Sequence, residues 1–445
     1  MNTGPARGMR DFLPDDVRRR RHVIGVIADV YQRYGFEPLE TPSVENLETL
    51  QGKYGEEGDR LIFKILKRGE GAETGQADLA LRYDLTVPLA RVVAEYRSKL
   101  PKFFKRYQVQ PVWRADRPQK GRFREFYQCD VDAIGSRSMV VEAELLAAAA
   151  DVFIALGFKD FQIVVNHRKL LNAVLTHAGI PPELHGPALV AMDKVDKIGV
   201  DGVKQEFAGR GLSPGSADRL AEILGSMSKA TLGDYAARLN DEGKAAVQEL
   251  GELFALADCT SAGPYLALDG YLARGLSYYT GPIFEIRVPD LAGSMGGGGR
   301  YDNLIGMFSG EDVPACGISL GLERILVVMA ERNMFPPSLV ASSADVMVVQ
   351  WFAGRTELYL ALATELRAAG LRVELYPEAP AEDNQKGALV KQFQYAQARG
   401  IPFAAVIGQA EVEAGTVSIR TLATRQDEQR PRGDVAAYVR KGISG

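Results

Sequence analysis

The sequence predicts an α+β body built on an antiparallel sheet, interrupted by a helical insertion and followed by a separate C-terminal α/β domain. Three observations carry this prediction. Strand-like text dominates residues 61–135 and returns at about residue 273, with helical-period text between. At "MFPPSLVASSAD" the composition shifts to Pro, Ser and Ala, the texture of a linker. Beyond it, strand and helix alternate, as in an α/β layer. A chain of 445 residues is too long for one core in any case. The predicted division is 1–165 and 263–333 for the body, 166–262 for the insertion, 334–344 for the linker and 345–445 for the tail.

Residues 15–34 carry Val23, Ile27, Val30, Tyr31 and Tyr34 at helical spacing, and Gly35 closes the helix. "GFEPLETPSVE" reads as extended, and Pro38 and Pro42 suit it to an edge or an interface. "DLALRYDLTVPLARVV" runs from a strand into a helix. "FFKRYQVQPVWR" and "REFYQCDVDAIG" form the two strands of a hairpin. A helix over 140–156 is stopped by Gly157. Residues 166–262 are helical with loop breaks. "ARGLSYYTGPIFEIRV" is strand-like and leads through a glycine cluster into the helix of "GISLGLERILVVMAERN". The tail reads strand 346–350, helix 356–369, strand 372–376, helix 388–399 and strand 403–407.

Composition narrows the function. With 46% hydrophobic and 25% charged residues the chain fits a soluble globular class, and no apolar run approaches a membrane span. The N-terminal text lacks a signal-peptide core, and Cys129, Cys259 and Cys316 are scattered without CxxC spacing. Reduced thiols in the cytoplasm are expected, without a disulfide framework or zinc site. The four histidines, His22, His167, His177 and His185, are dispersed, so a metal held by a protein cluster is not expected. The net charge of −4 gives no global nucleic-acid signal.

Against that balance, "RADRPQKGRFREFYQ" places Arg114, Arg117, Lys120, Arg122 and Arg124 in one loop. Arginine forks suit phosphate oxygens, and Gly121 lets the turn approach a ligand closely. On the strand that follows, Phe126, Gln128, Asp130, Asp132 and Ile134 share a face. That face is too polar for a dry core. It reads as the wall of a site for something polar and cationic, with Asp130 either a pocket member or a support for Arg114. The basic loop alone also fits a solvated hairpin tip. Glycines 296–299 suggest backbone close to a ligand or a tight turn, without the following Lys and Ser/Thr of a P-loop.

This stretch resembles motif 2 of the class II aminoacyl-tRNA synthetases, specifically the histidyl-tRNA synthetase family. "RGMRDFLP", "LRYDLTVPLAR", "ARGLSYYTG", "GGGRYDNLIGMF" and "GLERIL" resemble that family's signatures in order, over nearly the whole chain. The pairing of "LRYDLTVP" with "ARGL-YYTG" is the specific part; "GLER" alone is shared with other class II enzymes.

The resemblance implies a class II body and an ATP-dependent ligase that makes histidyl-adenylate and transfers histidine to the 3′ end of tRNA-His. ATP would act as substrate with Mg2+. Partners would be L-histidine, ATP and tRNA-His, with a homodimer formed through the Pro42 segment and no membrane. Arg114 and Arg274 match the catalytic arginines. Asp84, Leu85, Thr86, Arg114, Gln128, Asp132, Arg274, Tyr278, Tyr279 and Tyr301 match histidine-binding positions, and Arg114, Arg122, Phe126 and Arg324 match ATP-binding ones. Without the resemblance, Tyr278 reads as core. One position departs: Ser277 stands where the family usually has Asp. Strand alternation puts Ser277 on the same face as Tyr279, opposite Tyr278. The tail resembles the family's anticodon-binding domain, with Lys386, Lys391 and Arg399 on or near one helix, a pattern that a plain solvated helix would also give. Two other readings stand beside the ligase. One is a catalytically silent paralogue that regulates histidine biosynthesis, although such paralogues generally lack the tail; the other is a plain RNA-binding module.

Overall fold

The computed structural model describes the chain except for residues 1–2, 120, 193, 274–277, 338, 340–341, 382–384 and 445. The chain falls into two compact units, Met1–Met334 and Phe335–Gly445.

The first unit is organised by the hairpin of strands β5 (Phe104–Trp113) and β6 (Glu125–Ile134), which flank the basic loop. They lie in an eight-stranded sheet with β1 (Glu37–Pro38), β7 (Gln162–His167), β8 (Leu266–Leu268), β9 (Pro282–Arg287), β10 (Gly296–Arg300) and β11 (Ala315–Gly321). The order is β1-β5-β6-β11-β10-β9-β7-β8. Every pairing is antiparallel except those of the two edge strands, β1 and β8. Pro38 sits on an edge, where its missing N–H costs no ladder bond. A smaller sheet, β2-β4-β3, joins Val44–Asn46, Ala77–Leu81 and Lys64–Leu66.

The N-terminal helix Pro14–Arg33 buries Val23, Ile27, Val30 and Tyr31, with Pro14 at its first position and Asp15 and Asp16 in its first turn. The helix Val140–Ala155 is followed by Gly157 at φ +89°. The helical stretch between β7 and β8 begins two residues later than the sequence suggests, because Asn166 and His167 still belong to β7. His167 is fully buried and caps the helix Arg168–His177. Its Nδ1 accepts from the Lys169 amide at 3.1 Å, and its Nε2 lies 2.8 Å from Glu249. Its chemistry is that of a helix cap.

The second unit is a mixed five-stranded sheet of β12 (Val346–Val348), β13 (Val373–Leu375), β14 (Phe403–Val406), β15 (Thr416–Thr421) and β16 (Gln426–Pro431), in the order β13-β12-β14-β15-β16. Successive side chains of β12 feed opposite cores. Val346 and Val348 pack with Tyr359, Leu362, Val435 and Val439, whereas Met347 and the following Val349 pack with Ala396 and Phe393. Among the described residues no helix is long and apolar enough to cross a membrane.

Candidate active site

The site is built around the turn 83–86, between β4 and the helix Thr86–Glu95. Asp84 is buried. Its Oδ1 accepts from the Val87 amide and the Tyr54 hydroxyl, each at 3.0 Å, and its Oδ2 from the Tyr278 hydroxyl at 3.4 Å. Burial raises its pKa, and the donors and Arg114 pull against that shift. Leu85 is buried behind it, and the partly buried Thr86 lines a small cavity.

The carbonyl of Tyr83, in the same turn, accepts from Arg114 Nε at 3.0 Å. The Arg114 guanidinium lies 4.3 Å from the Tyr83 ring centroid and 5.2 Å from that of Phe126, and Nη2 reaches Gln128 at 3.5 Å. Arg114 is therefore fixed over two aromatic faces beside the carboxylate of Asp84. Arg324, at the start of the helix Leu322–Glu331, donates to the Ser294 carbonyl. Gly121, at φ +70°, sits beside the Arg324 stem, which brings the basic loop to the start of that helix.

The loop arginines divide by task. Arg122 is half-exposed and pairs with Asp116 at 3.0 Å. Arg124 donates to the Asp116 carbonyl at 3.0 Å, and its amide donates to the Gly8 carbonyl at 2.8 Å. The segment around "RGM" is tied to the loop in this way. A Cβ on Gly8 would sit 2.8 Å from the Arg124 side chain.

The polar face of β6 is where the sequence reading needs correction. Gln128, Asp130 and Asp132 are all buried, and the cation that the two carboxylates meet belongs to the chain itself. Arg106 of β5 lies 2.8 Å from Asp132 and 3.9 Å from Asp130. The face is therefore a buried layer partly compensated by Arg106, and Asp130 and Asp132 line the cavity with Thr86, Tyr279, Tyr301 and the backbone of Gly297, Gly298 and Gly317. Asp130 is pushed up to about 7, chiefly by burial; Arg106 opposes the shift and Asp132 adds to it. Burial also raises Asp132, whose Oδ1 accepts from Tyr301. Gln128 donates to Ser319 at 2.7 Å and to Asp130 at 3.3 Å.

Tyr278 and Tyr301 are core residues with polar ends, and Tyr301 also lines the cavity. Both are buried in one apolar cluster, and both spend their hydroxyls on site carboxylates. Tyr279, partly buried, meets Tyr278 edge-on at 5.0 Å. Tyr278 is a turn residue and β9 starts only at Pro282, so strand alternation does not fix the face of Ser277. Arg274, Leu276 and Ser277 lie outside the described residues, as does Lys120.

Glycines 296–299 form a strand, not a turn, and they are needed because neighbouring backbone lies against them. A Cβ on Gly298 would stand 1.9 Å from the Gly317 carbonyl oxygen, and one on Gly317 would stand 1.9 Å from Asp132 Oδ1. The cavity floor is bare backbone for that reason.

Several contributors escaped the sequence reading: Arg106, Tyr54, Ser319, Gly317 and the pair Arg20–Glu323. Glu323 is buried, takes Arg20 at 2.8 Å and accepts from the Tyr127 amide at 2.9 Å, so the "GLER" glutamate anchors β6 to the N-terminal helix. A signal for Arg106 was present. In "KRYQVQ", Arg106, Gln108 and Gln110 alternate as a polar face like that of β6. Among the described residues no group of three or more His, Cys, Asp and Glu side chains is arranged to hold a metal ion.

Comparison with known proteins adds an independent line. The family model described as Histidyl-tRNA synthetase matches residues 8–325, and that described as Anticodon binding domain matches residues 345–442. A protein of Gloeobacter violaceus named Histidine--tRNA ligase is 42% identical, with 96% of each chain covered. One of the same name from Flavobacterium johnsoniae is 42% identical, over 94% of this chain and 95% of the relative. The crystal structure of histidyl-tRNA synthetase from Nostoc sp. PCC 7120 superposes with a TM-score of 0.82 at 29% identity, covering 99% of this chain and 100% of that one.

Proposed function

The chain belongs to the histidyl-tRNA synthetase family, and from that premise we propose how its site acts as a histidine–tRNA ligase. The ligase activates L-histidine with ATP to an adenylate and transfers it to the 3′ end of tRNA-His. The geometry that carries the reading is the turn 83–86, which aims Arg114 through one carbonyl and presents Asp84 one residue later.

In this reading histidine lies over the bare floor of β10 and β11. Its ammonium group faces Asp84 and Thr86, with Gln128 near by, and its imidazole faces Asp132, Tyr278, Tyr279 and Tyr301. Arg114 spans the histidine carboxylate and the α-phosphate, holding nucleophile and electrophile in line. Positive charge set in place before reaction stabilises the charge that develops at phosphorus. Arg324 and Arg122 take the remaining phosphates. Arg122 exchanges Asp116 for phosphate, and Phe126 stacks on adenine. Arg274 supplies further transition-state charge beside the α-phosphate. Mg2+ would come bound to the ATP phosphates and offset their charge, while Arg114, Arg122 and Arg324 hold phosphate oxygens. The enzyme works in the cytoplasm as a homodimer through the Pro42 segment, and the tail reads the anticodon.

The silent-paralogue reading is not favoured, because the ligase relatives align over nearly the whole chain, tail included. ATP–pyrophosphate exchange measured with each amino acid in turn tests the proposal. Exchange with histidine alone is expected. Exchange with a different amino acid, or with none, would overturn it.

A further inference from the structure

Arg106 is fully buried, an expensive place for a guanidinium unless its charge is used. Register places it opposite Asp132, with Gln108 opposite Asp130 and Gln110 opposite Gln128. Its Nη2 stands 2.8 Å from Asp132, 3.9 Å from Asp130 and 3.4 Å from the Leu85 carbonyl; its Nη1 donates to Gln108 at 3.1 Å. Its Nε has no hydrogen-bond partner among the described residues, so it is held by charge and packing more than by a saturated donor set. Gln108 and Gln110 pass the contact on to Thr41 and Arg82, which fixes Arg106 from behind.

We propose that Arg106 is the positioning residue of the histidine pocket. One guanidinium nitrogen aims the Asp132 carboxylate across the cavity and supplies the countercharge that the Asp130–Asp132 pair needs to receive a ring N–H donor. The proposal rests on the reading that histidine occupies this cavity. Besides Arg106, the ionisable groups facing the pair are Tyr31 from the N-terminal helix, Arg82 and Asp84 from the segment after β4, Tyr301 after β10 and Cys316 of β11. Arg82 is committed to the carbonyls of Thr41, Pro42 and Pro111. The countercharge in contact with the pair is therefore Arg106.

The test is histidine-dependent pyrophosphate exchange by the full chain between about pH 5.5 and 9. An opposite charge at contact distance lowers a carboxylate pKa by about one to three units. In Arg106→Gln the acid limb of kcat/KM for histidine should therefore move up by about one to three pH units. KM for ATP, and kcat at saturating histidine, should stay within about threefold. Titration of free histidine is common to all variants and cancels. Arg106→Lys should bring the limb back towards wild type. A limb unmoved in Arg106→Gln, identical behaviour of Gln and Lys, or equal rises in KM for ATP and histidine would each overturn the proposal. Should Arg106→Gln not fold, Asp130→Asn removes the like charge beside Asp132 and should lower the limb by about one unit; no movement there refutes it equally. Asp132→Asn separates the two claims. If it leaves KM for histidine unchanged, the pocket reading fails; if it raises KM while Arg106 variants leave the limb in place, the positioning role alone fails.

Discussion

Gly317→Ala tests the pocket with a single methyl group. The added Cβ would lie 1.9 Å from Asp132 Oδ1 and 2.5 Å from Asp132 Cγ, with the Val131 carbonyl oxygen at 3.0 Å. Restoring van der Waals separation requires the carboxylate to retreat by about 1.5 Å, since contacts settle near 3.5 Å. The 2.8 Å contact to Arg106 and the bond from Tyr301 cannot both follow such a shift. Asp132 then no longer presents its oxygen to the ligand. A hydrogen bond to a charged group contributes about 1.5–3 kcal/mol, so its loss corresponds to roughly 10- to 150-fold.

KM for histidine in pyrophosphate exchange should therefore rise by roughly 10- to 150-fold, with KM for ATP nearly unchanged. A circular-dichroism melt confirms that the variant is folded. Asp132→Ala removes the obstructing oxygen, and in that background Gly317→Ala should add little, because the two substitutions act through one contact. A folded Gly317→Ala enzyme with wild-type KM for histidine would refute the argument. So would full additivity of the two changes.

Three further predictions follow from the family assignment. Arg274→His should slow adenylate formation by about 10²- to 10⁴-fold in single-turnover assays, the scale for losing one preorganised charge, while histidine binding weakens much less; equal losses would remove its transition-state role. Ser277→Asp should change KM for histidine by no more than about tenfold, or about 1.4 kcal/mol, because Asp84, Gln128, Asp132, Tyr278 and Tyr279 remain. An inert wild type rescued by this change would instead favour the regulatory paralogue. A chain ending at Met334 should still form histidyl-adenylate but lose most tRNA charging, since the motif residues precede the linker; full charging would exclude the tail from RNA binding.

The hairpin that carries the arginine loop was legible because its strands alternate and its loop is dense in charge. Alternation also exposed the polar face of β6. It could not reveal what that face meets, because the register of β5 against β6 is fixed by pairing across an eleven-residue loop. Arg106 lands opposite Asp132 only once that register is set. The glycine run was legible as a close approach, but its reason depends on Gly317 lying between β10 and Asp132. In the tail, β15 buries Val417 and Ile419 in alternation, yet it lay beyond the last element read from the sequence. Its partner β16, "QDEQRP", is an edge strand with no buried residue, so it leaves no hydrophobic period to detect.

The specificity of the "RYDLT" signature has a physical origin in this arrangement. Four consecutive positions face four different tasks: the Tyr83 carbonyl aims Arg114, Asp84 takes the Val87 amide and two tyrosine hydroxyls, the Leu85 carbonyl accepts from Arg106, and Thr86 opens the cavity. An insertion of one residue would detach the arginine side of the site from the carboxylate side. Opposite charges must remain close enough to hold one zwitterion yet apart enough not to neutralise each other. The structure achieves this by giving each its own partner. Arg114 rests on aromatic faces and carbonyl oxygen, whereas Asp84 takes an amide and two tyrosine hydroxyls. A pocket in which Arg114 paired directly with Asp84 would spend both charges before substrate arrived.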